Sequence, residues 1–312
     1  MKIKKLLLLS VVFLVQTVFL FAQDDDLLKM VEDTVTKKKS EKVYASFKST
    51  KLINAQTIET VAKNELDFRI THRFGNLATS GSVHTMWGFD EAQDIRYSFD
   101  YGIVNSLNVG FARSKDRELL ELYGKWRMLT QTTDNKIPVS VAVYSSSGFS
   151  PMKEAVFYKG VEPAIEKKLI HRFSYFSQVI IARKFTNWLS LELVSGYHHR
   201  NFIRADVNTS NGKEETNGLI TFGGGGRVKI TRSISIVADY YYVLSDFRKQ
   251  NPNPYYHPLA IGIEIETGGH VFHINVCNNR SISENGLIPN TQDTWTKGQY
   301  KLGFNISRVF NF

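Results

Sequence analysis

The chain is poor in cysteine, in acid relative to base, and in overall hydropathy. A single cysteine, Cys277, in 312 residues excludes a disulfide framework and any cysteine-rich zinc or iron–sulfur site. A mean hydropathy of −0.22 is too low for a helical membrane bundle. Acidic residues number 30 against 39 Lys and Arg, a net charge of +9 that would ordinarily point to nucleic acid or an anionic surface. What is present in quantity is aromatic: 21 Phe, 14 Tyr and 4 Trp within a 42% hydrophobic composition. That content excludes disorder, and the length suits one large domain or two small ones.

The first 22 residues read as a signal peptide. Residues 1–5 carry three lysines and no acid, and residues 6–22 are apolar apart from Ser10, Gln16 and Thr17, with small Ala22 before Gln23. No cysteine follows the run, so a bacterial lipoprotein is not expected. Cleavage after Ala22 would remove three positive charges and take the net charge from +9 to +6. Residues 23–63 then form an N-terminal periplasmic linker or a segment that plugs a lumen. Gln23 to Lys42 is a polar stretch with Asp24–Asp26 and Lys37–Lys39, either one short amphipathic helix or a solvated linker, and Val43–Val61 alternates only in places and carries Lys48, Lys51, Asn54 and Gln56.

From Asn64 onward the polarity alternates with period two. Leu66, Phe68 and Ile70 oppose Asp67, Arg69, Thr71 and Arg73, while Tyr97, Phe99 and Tyr101 oppose Arg96, Ser98 and Asp100. Successive strand residues face opposite sides, so each such segment is a strand with one apolar and one polar face. Twelve segments follow this rule: 64–74, 94–102, 107–114, 118–129, 137–147, 171–185, 189–199, 218–230, 233–244, 258–266, 270–277 and 299–312. Their connections are short on one side and long on the other, which is the pattern of an outer-membrane barrel. The fold expected is therefore all-β: an antiparallel transmembrane β-barrel over 64–312, of 12 strands or alternatively 14. Short periplasmic turns and long extracellular loops would join the strands. Arg113, Arg183 and Arg308 fall in the lipid-facing register but near strand ends, where a cation costs only about 0–1 kcal/mol.

The C-terminal strand carries Phe304, Ile306, Phe310 and, as the last residue, Phe312 in alternation, which resembles the barrel-assembly signal that the insertion machinery pairs with as a strand. A wider likeness accompanies it. Phe47-Lys-Ser-Thr-Lys-Leu-Ile-Asn54, Glu65-Leu-Asp-Phe-Arg-Ile-Thr-His-Arg-Phe-Gly75, Phe99-Asp-Tyr-Gly-Ile103, Gly223-Gly-Gly-Gly-Arg227, Ile263-Glu-Ile-Glu-Thr-Gly-Gly-His-Val-Phe272 and Gly303-Phe-Asn-Ile-Ser-Arg-Val-Phe310 resemble a Bacteroidota family of outer-membrane β-barrels known as a domain of unknown function. The resemblance implies the barrel and its location in the outer membrane, and carries no activity, substrate or catalytic residue.

Chemistry is sparse. Gly223–Gly226 lies inside a strand, so it is no phosphate loop; glycine there marks a bend or the close approach of another chain segment, with residues 43–61 a candidate. Adjacent His198 and His199 point to opposite faces, as do His270 and His273, so no metal site is expected. Cys277 lies about 13 Å along the strand from His273, out of nucleophile–base reach. His72, in the lipid register, is the one candidate for a lipid-modifying site. The lumen register holds the better candidates: Asp67, Arg69, Arg73, Arg96, Asp100, Glu121, Lys125, Arg127, Arg172, Glu192, Arg227, Asp239, Glu264 and Glu266. Such a lining is either an ion-paired brace or a polar pathway mildly favouring anions.

The sequence therefore predicts a narrow channel or transporter for small polar solutes, without cofactor, metal or catalytic residues. The alternative is a structural or partner-binding barrel of the cell envelope, and a lesser alternative a lipid-modifying enzyme. Partners expected are outer-membrane lipid, the insertion machinery and an envelope protein; nucleic acid is not expected, because no basic stripe with interleaved aromatics remains once the aromatics face lipid.

Overall fold

The structure, a computed structural model, describes residues 40–161, 165–204 and 206–312. The signal-peptide reading and residues 23–39 of the leader lie outside the described residues. Among the described residues twelve strands close into one antiparallel barrel: β1 (Glu65–Asn76), β2 (Asp94–Val104), β3 (Leu107–Ser114), β4 (Leu120–Leu129), β5 (Ser140–Phe149), β6 (Phe173–Lys184), β7 (Leu189–Arg200), β8 (Gly218–Lys229), β9 (Ile234–Leu244), β10 (Leu259–Thr267), β11 (His270–Cys277) and β12 (Lys301–Asn311). Each strand pairs with the next in sequence, and β12 closes on β1 with Ile70 opposite Ile306 and His72 opposite Phe304.

Alternation decides which face each residue takes. In β2, Asp94, Arg96, Ser98 and Asp100 are buried while Tyr97, Phe99 and Tyr101 stand on the outer surface. The same division places Phe111, Leu122, Leu193, Phe222, Ile236 and Ile263 outside. A barrel that buries charge and exposes a belt of aromatic and branched residues is built for a surrounding that is apolar.

The connections sort by end. One end carries 105–106, 130–139, 185–188, 230–233 and 268–269 together with both ends of the barrel sequence; the other carries 77–93, 115–119, 150–172, 201–217, 245–258 and 278–300. The 130–139 turn is longer than its periodicity suggests. It folds back on itself through Thr132 N to Ile137 O, and receives the entering chain through Val43 N to Gln131 O and Thr133 N to Glu41 O. The 150–172 loop holds a single helical turn, α1 (Glu154–Phe157), and 278–300 holds α2 (Glu284–Asn290).

Candidate functional site

The lumen is filled, and the filling comes from both ends. From the short-turn end the chain before β1 passes Gly102, where any Cβ would strike the Ala62 carbonyl, and enters the barrel. Residues 49–57 form a small hairpin inside it: Lys51 bridges to Gln56, Leu52 N donates to Ala55 O at 2.9 Å and Thr57 N to Thr50 O at 3.0 Å. A hairpin tip leaves several backbone N–H groups aimed in one direction, a concavity suited to an anion. Asp239 of β9 fills it. Its carboxylate accepts from the backbone N–H groups of Ile53 (2.9 Å), Asn54 (2.8 Å) and Ala55 (3.3 Å), and from Asn54 Nδ2 at 3.1 Å.

The sides of the hairpin are held by the charged wall. Arg69 Nη2 donates to Ser49 Oγ at 2.7 Å and Thr50 Oγ1 at 3.0 Å, and pairs with Asp67 at 3.2 Å. Lys125 Nζ donates to Thr50 O at 2.6 Å, and Arg73 Nη2 to Asn54 Oδ1 at 3.1 Å. At the rim Arg127 meets Glu59 at 3.3 Å, Lys48 meets Glu266 at 3.2 Å, and Arg227 bridges Glu264 and Glu266, each at 2.6 Å. Glu59 also accepts from Phe47 N at 3.0 Å; burial raises its carboxyl above the usual range, against the pull of that N–H and of Arg127.

From the other end the 278–300 connection turns inward. Glu121 accepts from Ser283 Oγ, from Asn285 Nδ2 at 2.9 Å and from Arg96 Nη2 at 2.7 Å, and Asp94 accepts from Ile282 N at 3.0 Å. The two inserts then touch. Glu284, at the start of α2, pairs with Lys51 at 3.0 Å and accepts from Gln56 Nε2 at 3.1 Å, while Asn54 and Asn279 exchange amide hydrogen bonds at 3.0 Å. Burial holds the Lys51 ammonium below its ordinary range, with Glu284 pulling it back up.

The opposite wall has a different character. Ala142, Phe176, Ile180, Ala182, Val194, Leu219, Val237 and Tyr241 form an apolar cluster with Phe47, Leu52, Ile53, Ala55 and Ile58 of the inserted segment and Leu287 and Ile288 of α2. The Gly223–Gly226 run belongs here: Gly225 faces inward, and a Cβ on it would run into Leu52 Cδ1. Below the hairpin a cavity of about 1430 Å³ opens at the short-turn end, lined by Lys48, Ser49, Glu59, Asp67, Arg127 and Glu266 among others.

The structure therefore brings Asp67, Arg69, Arg73, Arg96, Asp100, Glu121, Lys125, Arg127, Glu192, Arg227, Asp239, Glu264 and Glu266 to the lumen side of their strands. Arg172 is a correction. The strand begins at Phe173, and Arg172 lies in the preceding 3-10 turn, where its guanidinium donates to Ser150 O at 3.0 Å and Met152 O at 2.5 Å, clasping the β5–β6 loop. Glu192 stands apart: both its oxygens are buried without a partner on the apolar wall. Phe304 and Ile306 lie on β12 with partly exposed side chains, Phe310 is 37% exposed near its end, and Phe312 lies beyond it. His72 is flanked in register by Ile95 and Phe304 and stacks on the Phe304 ring at 5.4 Å, so no serine stands beside it. Cys277 Sγ donates to Asn279 O. Among the described residues no three His, Cys, Asp or Glu side chains converge as metal ligands. Lys51, Glu284 and Asn279 were the functional contacts that periodicity missed, because none lies on a strand.

A family model described as "Membrane bound beta barrel domain (DUF5777)" matches residues 47–310. Among solved structures, the NanC porin is similar at 12% identity and a TM-score of 0.48, covering 79% of this chain and 99% of that one. The KdgM porin is similar at 8% identity and 0.42, covering 80% and 99%, and Omp33 of Acinetobacter baumannii at 9% and 0.39, covering 82% and 100%. No curated protein matches the chain.

Proposed function

The chain belongs to the family of membrane bound beta barrel domains, and on that premise we propose that it is a gated conduit for small polar solutes across the outer membrane. The observation that carries the reading is the two-part stopper. A barrel that served only as a brace can fill its lumen with side chains from its own wall. Here the wall carries glycine or alanine at Gly225, Ala142 and Ala182, and that room is taken by segments outside the strands, held in place without a disulfide. The hairpin at 49–57 closes the periplasmic half, the 278–300 loop the extracellular half, and Lys51 and Glu284 join them. In this reading residues 1–22 export the chain, residues 40–48 lead to the hairpin, and the alternation ending at Phe312 serves insertion.

A second reading has its own support. Tyr44 is 90% exposed at the periplasmic mouth, beside the 1430 Å³ cavity. An exposed aromatic on the chain that leads to the hairpin is a handle for an envelope partner, which would then act as the opener or, without transport, as the purpose of the barrel.

The test is conductance in planar bilayers together with liposome uptake. The wild type is expected to stay mostly closed. A disulfide between Leu52→Cys and Gly225→Cys should lock it, and reduction should restore the openings. Absence of conductance and uptake in the wild type, in Asp239→Ala and in the reduced double-cysteine variant, at every voltage, would leave the partner-binding reading in its place.

A further inference from the structure

The long loop between β1 and β2, residues 77–93, carries an apolar tip. Val83, Met86, Trp87 and Phe89 are all exposed, from 46% at Phe89 to 69% at Val83. Single apolar side chains on a surface need no account, but a cluster of large ones does. These four belong to one tight stretch. Met86 N donates to Val83 O at 3.2 Å across the 3-10 turn at Ser82–Thr85, and Phe89 N donates to Met86 O at 3.2 Å. Residues three apart in such a turn share a face, so Val83 and Met86 stand together.

The tip is held firmly. Buried Ser82 accepts at Oγ from Thr79 N at 2.8 Å and donates to Asn76 O at 3.0 Å, while its carbonyl accepts from Trp87 N at 2.6 Å. Gly75 N donates to Gly88 O at 2.8 Å, which ties the tip to the end of β1. Leu77 N donates to Tyr300 O at 2.8 Å and Ala78 N to Gly298 O at 3.1 Å, which ties the loop to the chain entering β12. Within this frame Met86 (φ 49°) and Trp87 (φ 54°) both take left-handed backbone. Residues other than glycine keep that conformation where the surrounding structure enforces it.

A run of ring contacts gives the tip its direction. Phe89 packs on Phe74 with centroids 5.2 Å apart, Phe74 on His72 at 4.2 Å, and His72 on Phe304 at 5.4 Å. His72, Phe74 and Phe304 lie on the outer face of β1 and β12, in the register of Phe68 and Ile70. Phe89 therefore continues the lipid-facing belt beyond the ends of the strands. From Asn76 to Phe89 the chain contains no acid, lysine or arginine, so no such charge has to approach hydrocarbon with the tip. Tryptophan suits the level where hydrocarbon meets headgroups, because its ring is apolar and its N–H is a donor.

We propose that the 77–93 loop is a membrane-interface anchor, with Val83, Met86, Trp87 and Phe89 seated in the outer leaflet of the lipid around the barrel. The occupant is lipid because the patch runs on from a face already turned to lipid. The inference holds whether or not the barrel conducts.

The test places nitroxide labels on the purified protein in phosphatidylcholine vesicles. Their collisions with oxygen, which concentrates in hydrocarbon, are compared with those of a nickel chelate, which stays in water. Met86→Cys and Trp87→Cys are labelled one at a time. Leu193→Cys on the outer wall is the lipid reference, and Lys159→Cys in the 150–172 loop the water reference. Cys277 is buried, so the unaltered chain is the blank. Oxygen-to-nickel ratios at 86 and 87 should shift from the Lys159→Cys value toward that of Leu193→Cys. Val83→Cys, outside the left-handed stretch, carries the same expectation should a label at 87 disturb the turn. Phospholipids brominated near the headgroup should also quench the tryptophan emission of the wild type more than that of Trp87→Phe. Ratios equal to the water reference put the tip in solvent and overturn the anchor. Few collisions with either reagent mean that protein covers the tip, which overturns it as well, and spin–spin broadening would mark the cover as a second copy.

Discussion

The two walls of the lumen hold the same inserted hairpin by different physics. Arg69, Arg73 and Lys125, with Asp239 at the seam where β9 pairs with Gly225 of β8, meet it through directed hydrogen bonds. The wall of β5–β8 meets it through shape, with Leu52 over Gly225 and Ile58 among buried aliphatic neighbours. Directed bonds fix register and orientation, because each donor accepts one geometry and an unmade buried bond costs about 1–3 kcal/mol. Apolar contact is indifferent to small shifts, and contributes about 1.5–3 kcal/mol for each fully buried aliphatic side chain. One wall therefore decides where the stopper sits, and the other how tightly.

Breaking the charged wall should have the largest effect. Asp239→Ala leaves three backbone N–H groups at the hairpin tip without an acceptor, and on the order of 5 kcal/mol of docking should be lost. Hydrogen exchange at residues 52–55 should rise to the level of an exposed loop, and the current should become nearly continuous. Glu284→Ala removes the ion pair between the inserts and strands Lys51, costing about 3–5 kcal/mol. Lys51→Met added to Glu284→Gln removes both charges and should recover most of it, read as thermal stability.

The apolar wall should yield less. Gly225→Val crowds Leu52 and should cost about 1–3 kcal/mol, shifting the hairpin while its bonds to Asp239 survive. Exchange protection at 53–55 that collapses as far as it does in Asp239→Ala would erase the distinction between the walls. The smallest effect belongs to pH. The docked state holds Glu59 with a raised pKa and so binds more protons than the released one. Docking should strengthen as pH falls through the window between the ordinary glutamate value and the raised one, and weaken as pH climbs back. Glu59→Gln should flatten that dependence in bilayer recordings.

Most of the barrel was legible because period two is local. Each of β3 and β11 spans the residues that alternation marks out, and the lumen register of Asp67 or Glu121 follows from its neighbours alone. Arg172 misled at a boundary, where one residue of strand becomes one residue of turn and the side chain changes partners. The glycine run at Gly223–Gly226 announced that something approaches, and Leu52 is what does. The stopper itself left no periodic trace. Ile53 and Asp239 are 186 positions apart, and a bond of that kind is specified only by chemistry at both ends.

By itself the order of residues determined the strands, their facing and the charge of the lumen, since side-chain direction along a strand is fixed by backbone geometry. The one cysteine, the low hydropathy and the surplus of base belong to that part, as properties of a wall with lipid on one side and charge on the other. Whether the charge lines a passage or holds a stopper was decided only by tertiary structure. Ring closure brings strands from the whole chain around a common axis, and there three N–H groups of a short hairpin find one carboxylate.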